Sequence, residues 1–414
     1  MKNSVKITVR RTCRVCRSSK LEYLYSLGEL YISNFVKPHE AGIKAPLEMI
    51  LCKNCTLVQL RHTAPQELLY ARYYWYRSGV TDTMKKALRD ITEEIERLVD
   101  LKRGDIVLDI GSNDGTLLRS YSFPGLVKVG FEPALNLKKE GERGVDIFVS
   151  DFWSAQLYKK KVKKKARVIT AIGMFYDMED PNAFIKDAAA VIADDGVFIA
   201  QLMCLKNMID TNDVGNICHE HLEYYSLAAL KYLFKKNNFE IIDIEYNNVN
   251  GGSYRLFVRP EGGKFKPFTG AAGRLDKYSS QEKKLESKKV HLDFFRRILA
   301  NKKKTVSFIK KEAAKGKRVW AYGASTKGNT ILQFFGLDRR LIEGASDRSP
   351  EKWHKETIGT RIPIFDEEKA RKADPDYFLV LPYSFISEFI KREKKWLDKG
   401  GKFILPLPEF KIVS

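Results

Sequence analysis

Residues 105–118 constrain the fold more than any other stretch. Asp105-Ile106-Val107-Leu108-Asp109-Ile110 reads as a buried strand. It runs straight into the turn Gly111-Ser112-Asn113-Asp114-Gly115 and then the helical opening Thr116-Leu117-Leu118. A glycine turn at the carboxyl end of a first strand is where open α/β sheets bind ligands. Val127-Lys128-Val129-Gly130-Phe131-Glu132-Pro133 reads as the second strand, and its terminal acid Glu132 lies 21 residues after Gly111. An acid in that place is set to hold ribose hydroxyls. Val168–Ile172 and Val197–Gln201 read as further strands, the latter after an Asp194-Asp195-Gly196 turn, and Tyr254–Val258 as the last. Strands alternating with helical stretches predict a doubly wound α/β sheet. The turn lacks the dinucleotide G-x-G-x-x-G spacing, which ranks an NAD-dependent oxidoreductase low.

A second α/β unit follows a lysine-rich connector. The connector carries Leu285, Val290, Phe294, Phe295, Ile298 and Leu299 at the spacing of an amphipathic helix. Arg318–Tyr322 then reads as a strand, Gly323-Ala324-Ser325-Thr326-Lys327-Gly328-Asn329 as a turn and Thr330-Ile331-Leu332 as a helix start. That turn could hold an anion with Lys327 supplying charge, or it could be purely structural. Further strands fit Leu341–Ala345, Tyr377–Leu381 and Phe403–Leu405. At the other end of the chain sit two knuckles, Cys13-Arg14-Val15-Cys16 and Cys52-Lys53-Asn54-Cys55, with a small structured insert between them. Each knuckle lets two sulfurs reach one ion, so the four thiolates predict a tetrahedral Zn²⁺ with no open position, hence a structural metal. The expected division is a zinc-binding domain over 1–68, the first α/β domain over 69–305 and a Rossmann-like domain over 306–414. An aromatic run, Tyr73-Tyr74-Trp75-Tyr76, joins the first two, as core packing or as the wall of a pocket.

The chemistry-bearing stretch is Cys218-His219-Glu220-His221, in a chain with only six histidines. On a strand the two imidazoles would share a face; in a loop all three polar side chains could enter one cleft. The pair suits a general base with a polar helper, because imidazole titrates nearest neutral pH. A stray metal site or surface polarity are the alternatives. The net charge of +21 suits an anionic small molecule such as a nucleotide diphosphate. The run Lys159–Lys165 precedes an apolar strand and reads as a solvated face. A zinc-ribbon RNA-binding protein would interleave aromatic platforms with its lysines, and these runs do not, so no nucleic acid partner is expected. No run approaches the ~20 apolar residues that span a bilayer, and Met1-Lys2-Asn3-Ser4 lacks a leader's apolar core. The expectation is a cytoplasmic protein without a membrane partner, a monomer or small homo-oligomer.

The turn at Gly111 resembles motif I of the class I S-adenosylmethionine-dependent methyltransferases. The order of motifs across nearly the whole chain is similar to that of the sugar C-methyltransferases acting on nucleotide-linked keto-deoxysugars. The shared stretches are the two knuckles, Tyr76-Arg77-Ser78-Gly79, Asp109–Gly115, His219-Glu220-His221, Asn250-Gly251-Gly252-Ser253 and Tyr322–Asn329. The resemblance implies S-adenosylmethionine held by Asp109, Gly111, Ser112, Asn113, Gly115 and Glu132, with Asp151 and Phe152 beside the adenine. It implies His221 as general base, with His219, Glu220 and Tyr76 around the sugar. It also implies a substrate, a dTDP-linked keto-deoxysugar, lying against Tyr76, Tyr176, Cys218 and Lys327. Two positions depart from the family: Cys218 stands where a tyrosine is expected, and within Met174-Phe175-Tyr176-Asp177 a histidine is replaced, with Tyr176 the nearest candidate. The carbon chemistry is sensible in itself, since a proton beside a ketone is acidic enough for imidazole when donors stabilise the enolate oxygen. Methylation of oxygen or nitrogen of another small molecule is the alternative.

Overall fold

A computed structural model describes residues 5–71 and 73–414. The start Met1-Lys2-Asn3-Ser4, on which the expectation about a leader rests, lies outside them. The middle of the chain forms a seven-stranded sheet: β1 Ile106–Ile110, β2 Val127–Phe131, β3 Ile147–Val149, β4 Ala166–Ile172, β5 Ile192–Met203, β6 Phe239–Asn247 and β7 Ser253–Pro260. Their order across the sheet is 6-7-5-4-1-2-3. Strands 1 to 5 are parallel to one another, and β7 enters antiparallel between β5 and β6. Every residue of β1 is buried, as a strand covered on both faces requires, and this is why it reads as an unbroken apolar run.

Two readings change here. Asp194-Asp195-Gly196 is no turn: β5 starts at Ile192 and carries these residues as a bulge, since Ala166 pairs with Ile192 but Val168 with Val197. A Cβ on Gly196 would stand 3.0 Å and 3.1 Å from the carbonyls of Ala193 and Ala166, so only glycine fits the close approach. The strand Phe239–Asn247, which sequence reading passed over, forms the sheet edge.

The zinc-side region is a sheet of Leu21–Tyr31, Lys44–Cys52 and Val58–Leu60, with a fourth strand supplied from far along the chain. Glu223 pairs with Gln59 and Tyr224 with Val58. The residues directly after His219-Glu220-His221 are therefore stitched to the zinc-side sheet. The long helix Lys288–Ala313 lies against the same region, with Tyr25 stacked on Phe295 at 4.6 Å between ring centroids. Phe294 and Ile298 are buried as expected, whereas Leu299 is exposed.

The last region is a six-stranded sheet ordered Ile364–Phe365, Ala345–Ser346, Val319–Tyr322, Tyr377–Val380, Lys402–Leu405 and Lys411–Val413. The expected strand Leu341–Ala345 shrinks to Ala345–Ser346, because Leu341 is taken up in a turn whose N–H bonds the carbonyl of Asp338. Apolar packing joins this sheet to the zinc-side region and the long helix in one cluster. The lysine run is exposed except for the buried Val162. Among the described residues no helix is long and apolar enough to cross a membrane.

Candidate active site

A cavity of about 430 Å³, within the usual range for ligand sites, opens at the carboxyl ends of β1, β2 and β4. Its first end is the glycine turn. The N–H groups of Gly111 and Ser112 both donate to the carbonyl of Phe131 at 2.9 Å. This pinch needs the positive φ of Gly111, +71°, and of Asn113, +53°. Glu132 closes it: its carboxylate accepts from the backbone N–H of Asn113 and of Ala134, each at 2.9 Å. Burial raises the Glu132 pKa above the ordinary carboxylate range, although these two N–H bonds pull the other way. Gly111, Asn113 and Glu132 line the cavity, as do Phe152 and Trp153, and Trp153 packs edge-on to Phe131 at 5.0 Å. Buried Ser112 leaves its hydroxyl without a partner. Backbone turned inward, an anchored acid and an aromatic wall suit an adenosyl group.

Four residues expected around the cofactor stand outside this wall, the first of them Ser112. Asp109 lies within the sheet, where its carboxylate accepts from the Thr170 hydroxyl at 2.6 Å and burial pushes its pKa up to about 7. Gly115 caps the helix Thr116–Ser120 at φ +76°. Asp151 is exposed and accepts from the N–H of Phe152 at 2.7 Å.

A strap, residues 70–71 and 73–78, borders the cavity, presenting Tyr70, Tyr74, Tyr76 and Ser78. It is tied to the glycine turn by the Ser78 N–H to Asn113 Oδ1, 2.9 Å, and by Asn113 Nδ2 to the Tyr76 carbonyl, 3.1 Å. Arg77 reaches across to Glu351 of the last domain at 2.6 Å.

The two histidines part company. His221 lines the cavity, its Nδ1 held 2.8 Å from the carbonyl of Asn216 and its ring edge-on to Tyr176 at 4.6 Å. A carbonyl can only accept, so Nδ1 carries the proton and Nε2 is the basic nitrogen. Burial, and then the charge of Lys327, lower the His221 pKa to about 3. His219 faces away, Nε2 bonded to the Ala45 carbonyl at 2.9 Å, and burial lowers its pKa to about 4. Cys218 and Glu220 are buried off the cavity wall, and Glu220 keeps one carboxylate oxygen unpartnered. Of the expected set the structure thus brings His221, Tyr76, Tyr176 and Lys327 together and turns His219, Glu220 and Cys218 aside.

Lys327 arrives from the last domain. The Ser325 hydroxyl caps the helix Thr326–Phe335 by accepting from the Gly328 N–H, 2.9 Å. Lys327 Nζ then comes within 3.1 Å of Met203 Sδ at the end of β5. Sequence reading missed Tyr70 and Asp177, both on the wall. Asp177 had a signal: an acid just beyond the fourth strand, where such sheets present their chemistry.

The sulfurs of Cys13, Cys16, Cys52 and Cys55 all lie within 4.8 Å of one another, with Cys13–Cys55 at 3.5 Å and Cys16–Cys52 at 3.4 Å. Tetrahedral Zn–S bonds of about 2.3 Å put sulfurs about 3.8 Å apart, so the cluster fits zinc. Arg14, between the first two cysteines, is fully buried. It donates to the Leu60 carbonyl and the Thr63 hydroxyl, each at 2.6 Å, and reaches Glu179 on the cavity wall at 3.3 Å.

Three family descriptions match in succession: a putative zinc binding domain over residues 13–70, a methyltransferase domain over 83–244 and a C-methyltransferase C-terminal domain over 248–408. The C-methyltransferase NovU of Streptomyces niveus is 29% identical over 409 residues, 97% of this chain and 96% of that protein. Solved structures align less fully. An S-adenosylmethionine-dependent methyltransferase from Clostridium acetobutylicum ATCC 824 covers 44% of this chain and 94% of its own at 15% identity, TM-score 0.34. Magnesium protoporphyrin IX methyltransferase from Synechocystis PCC 6803 covers 44% and 90% at 14% identity, TM-score 0.34.

Proposed function

We propose that the chain is an S-adenosylmethionine-dependent C-methyltransferase with an N-terminal zinc-binding domain, and that it methylates a carbon beside the ketone of a nucleotide-linked keto-deoxysugar, a dTDP-sugar, through an enolate. The observation that carries the reading is His221, whose Nδ1–Asn216 bond leaves a basic Nε2 on the wall of the same cavity as Gly111 and Glu132.

Glu132 and the Gly111 turn hold the ribose, and Phe152 and Trp153 flank the adenine. Bound S-adenosylmethionine supplies the electrophilic methyl group, which passes to the substrate carbon as the methyl–sulfur bond breaks with its electron pair left on sulfur. His221 Nε2 takes the proton from that carbon, and the imidazolium later releases it to water. Tyr76 and Tyr176 bracket the sugar. The single chemical role of the C-terminal domain in this scheme is Lys327, which meets a phosphate of the nucleotide. Burial first, and then its charge, depress the basicity of His221, and a phosphate beside Lys327 offsets the second of these when substrate is present. The zinc is structural: all four donors are cysteine sulfur and none lies on the cavity wall.

The test is His221→Asn, which keeps size and polarity but loses the base. Incubation with labelled cofactor and a panel of nucleotide-sugars should find the acceptor. Exchange of its carbon-bound hydrogen with deuterated water follows the first step. The variant should lose on the order of 10²–10⁴-fold in both exchange and methyl transfer, with cofactor affinity unchanged. Exchange at the parental rate would remove His221 from the role. Methylation by the parent with no carbon exchange would move the reaction to oxygen or nitrogen.

A further inference from the structure

Asp177 has no part in the chemistry above, yet its position is among the most constrained in the cavity. The backbone around it is laced to the histidine loop: the Tyr176 carbonyl accepts from Leu222 and Glu223 N–H at 2.9 and 3.0 Å, and the Met178 N–H donates to the Glu223 carboxylate at 3.2 Å. Asp177 therefore shares one wall with His221, and Tyr176 beside it packs on the imidazole. The side chain is 7% exposed, and its Oδ1 is buried with no hydrogen-bond partner. A polar oxygen buried at the edge of a cavity without a partner costs free energy unless a ligand satisfies it.

We propose that Asp177 is a further catalytic residue: its carboxyl group, in the protonated form, donates a hydrogen bond to the ketone oxygen as that oxygen takes up enolate charge. The proposal rests on the enolate reading above. The proton stays on Asp177 throughout; the hydrogen taken from carbon leaves on His221, and the hydrogen bond relaxes as the ketone re-forms on methylation. The surroundings favour a neutral acid. Burial raises the Asp177 pKa well above the ordinary carboxylate range, and the like charges of Glu223 and Glu220 raise it further. Tyr70 and Tyr74 from the strap, Tyr176, Tyr224 and Cys218 complete the titratable groups close enough for its charge to be felt. A carboxylate there would face two other acids; a carboxylic acid is a donor in a dry site, where oxyanion stabilisation is strongest.

Asp177→Ala and Asp177→Asn separate the possibilities, with dTDP-4-keto-6-deoxyglucose as probe and hydrogen exchange and methyl transfer as readouts. Asn keeps a donor that cannot ionise, so it should stay within about tenfold of the parent, whereas Ala should lose about 10²–10³-fold in both readouts. A raised pKa extends the pH range over which the acid persists, and the acid is lost as pH rises through that pKa. The parent should accordingly fall off on the alkaline side and Asp177→Asn should not. A difference infrared spectrum, parent minus Asp177→Asn, should show a protonated-carboxyl band at neutral pH. Only carboxylate bands, or an Asn variant as impaired as Ala, overturns the proposal. An Ala variant that exchanges hydrogen at the parental rate overturns Asp177 alone. A parent that methylates the probe without exchanging its hydrogen overturns the enolate reading beneath it.

Discussion

The turn after Ile110 and the turn after Tyr322 are built alike and serve differently. In each, a glycine at positive φ, +71° for Gly111 and +83° for Gly323, sends its N–H to the carbonyl ending the next strand, at 2.9 and 2.8 Å. In each, an acid directly after that strand accepts a backbone N–H of the turn at 2.9 Å, Asn113 to Glu132 and Ala324 to Asp347. Then they diverge. Glu132 has no ion pair among the described residues and lines a cavity. Asp347 is paired with Lys352 at 3.2 Å, and the same ammonium donates to the Ala324 carbonyl at 2.7 Å. The second turn is filled by its own chain, and what it contributes to the site is the reach of Lys327 into the first unit's cavity. A glycine turn is a scaffold; what fills its mouth decides whether it becomes a binding site.

Zinc removal should strike hardest, because it removes what supports the first cavity from the side. Structural zinc in small finger peptides contributes about 10–16 kcal/mol of apparent binding free energy. Cys52→Ser should lower the metal content from one zinc per chain and unseat the Glu223–Tyr224 strand that holds the His221 loop. Elemental analysis with hydrogen-exchange protection at Leu222–Tyr224 reads both, and a metal-free chain with that strand still protected breaks the link.

The paired acids come next. Glu132→Ala should weaken S-adenosylmethionine binding by roughly 1.5–3 kcal/mol, the worth of a hydrogen bond to a charged group. Asp347→Ala should leave cofactor binding untouched and lower thermal stability instead, since it strands Lys352. Calorimetry on the two variants erases the contrast between the turns if both bind as the parent does.

Lys327→Met gives the smallest change. Its cation is the second cause, after burial, of the lowered His221 pKa, so its loss should raise that pKa, and the acidic limb of the rate profile should move to higher pH. The Michaelis constant for a nucleotide-sugar should rise roughly tenfold, consistent with a lost charge-assisted contact of about 1.5 kcal/mol. A profile that does not move separates the second turn from the first site altogether.

Much of the fold was legible because its signals are local. Ile106–Ile110 is apolar throughout because both faces are covered, and the Cys13–Cys16 and Cys52–Cys55 spacings state which sulfurs can share an ion. Phe239–Asn247 was not legible, since an edge strand alternating Glu, Ile and Asp resembles any amphipathic stretch. Asp194-Asp195-Gly196 looks like a turn and becomes a bulge only when Ala166 sets the register beside it.

By itself the sequence determined most of the elements, the four zinc ligands, the turn at Gly111 and the acid at Glu132, because periodicity and glycine stereochemistry act within a few residues. Tertiary structure alone decided which histidine meets the cavity. His219 and His221 are chemically the same, and only the pairing of Glu223–Tyr224 with Val58–Gln59 orients the loop so that one faces Ala45 and the other Tyr176. It also decided the burial of Asp177 on the cavity wall and the placement of Lys327. Desolvation and charge are properties of the assembled cavity, made by residues distant in the chain, and they do not exist until it closes.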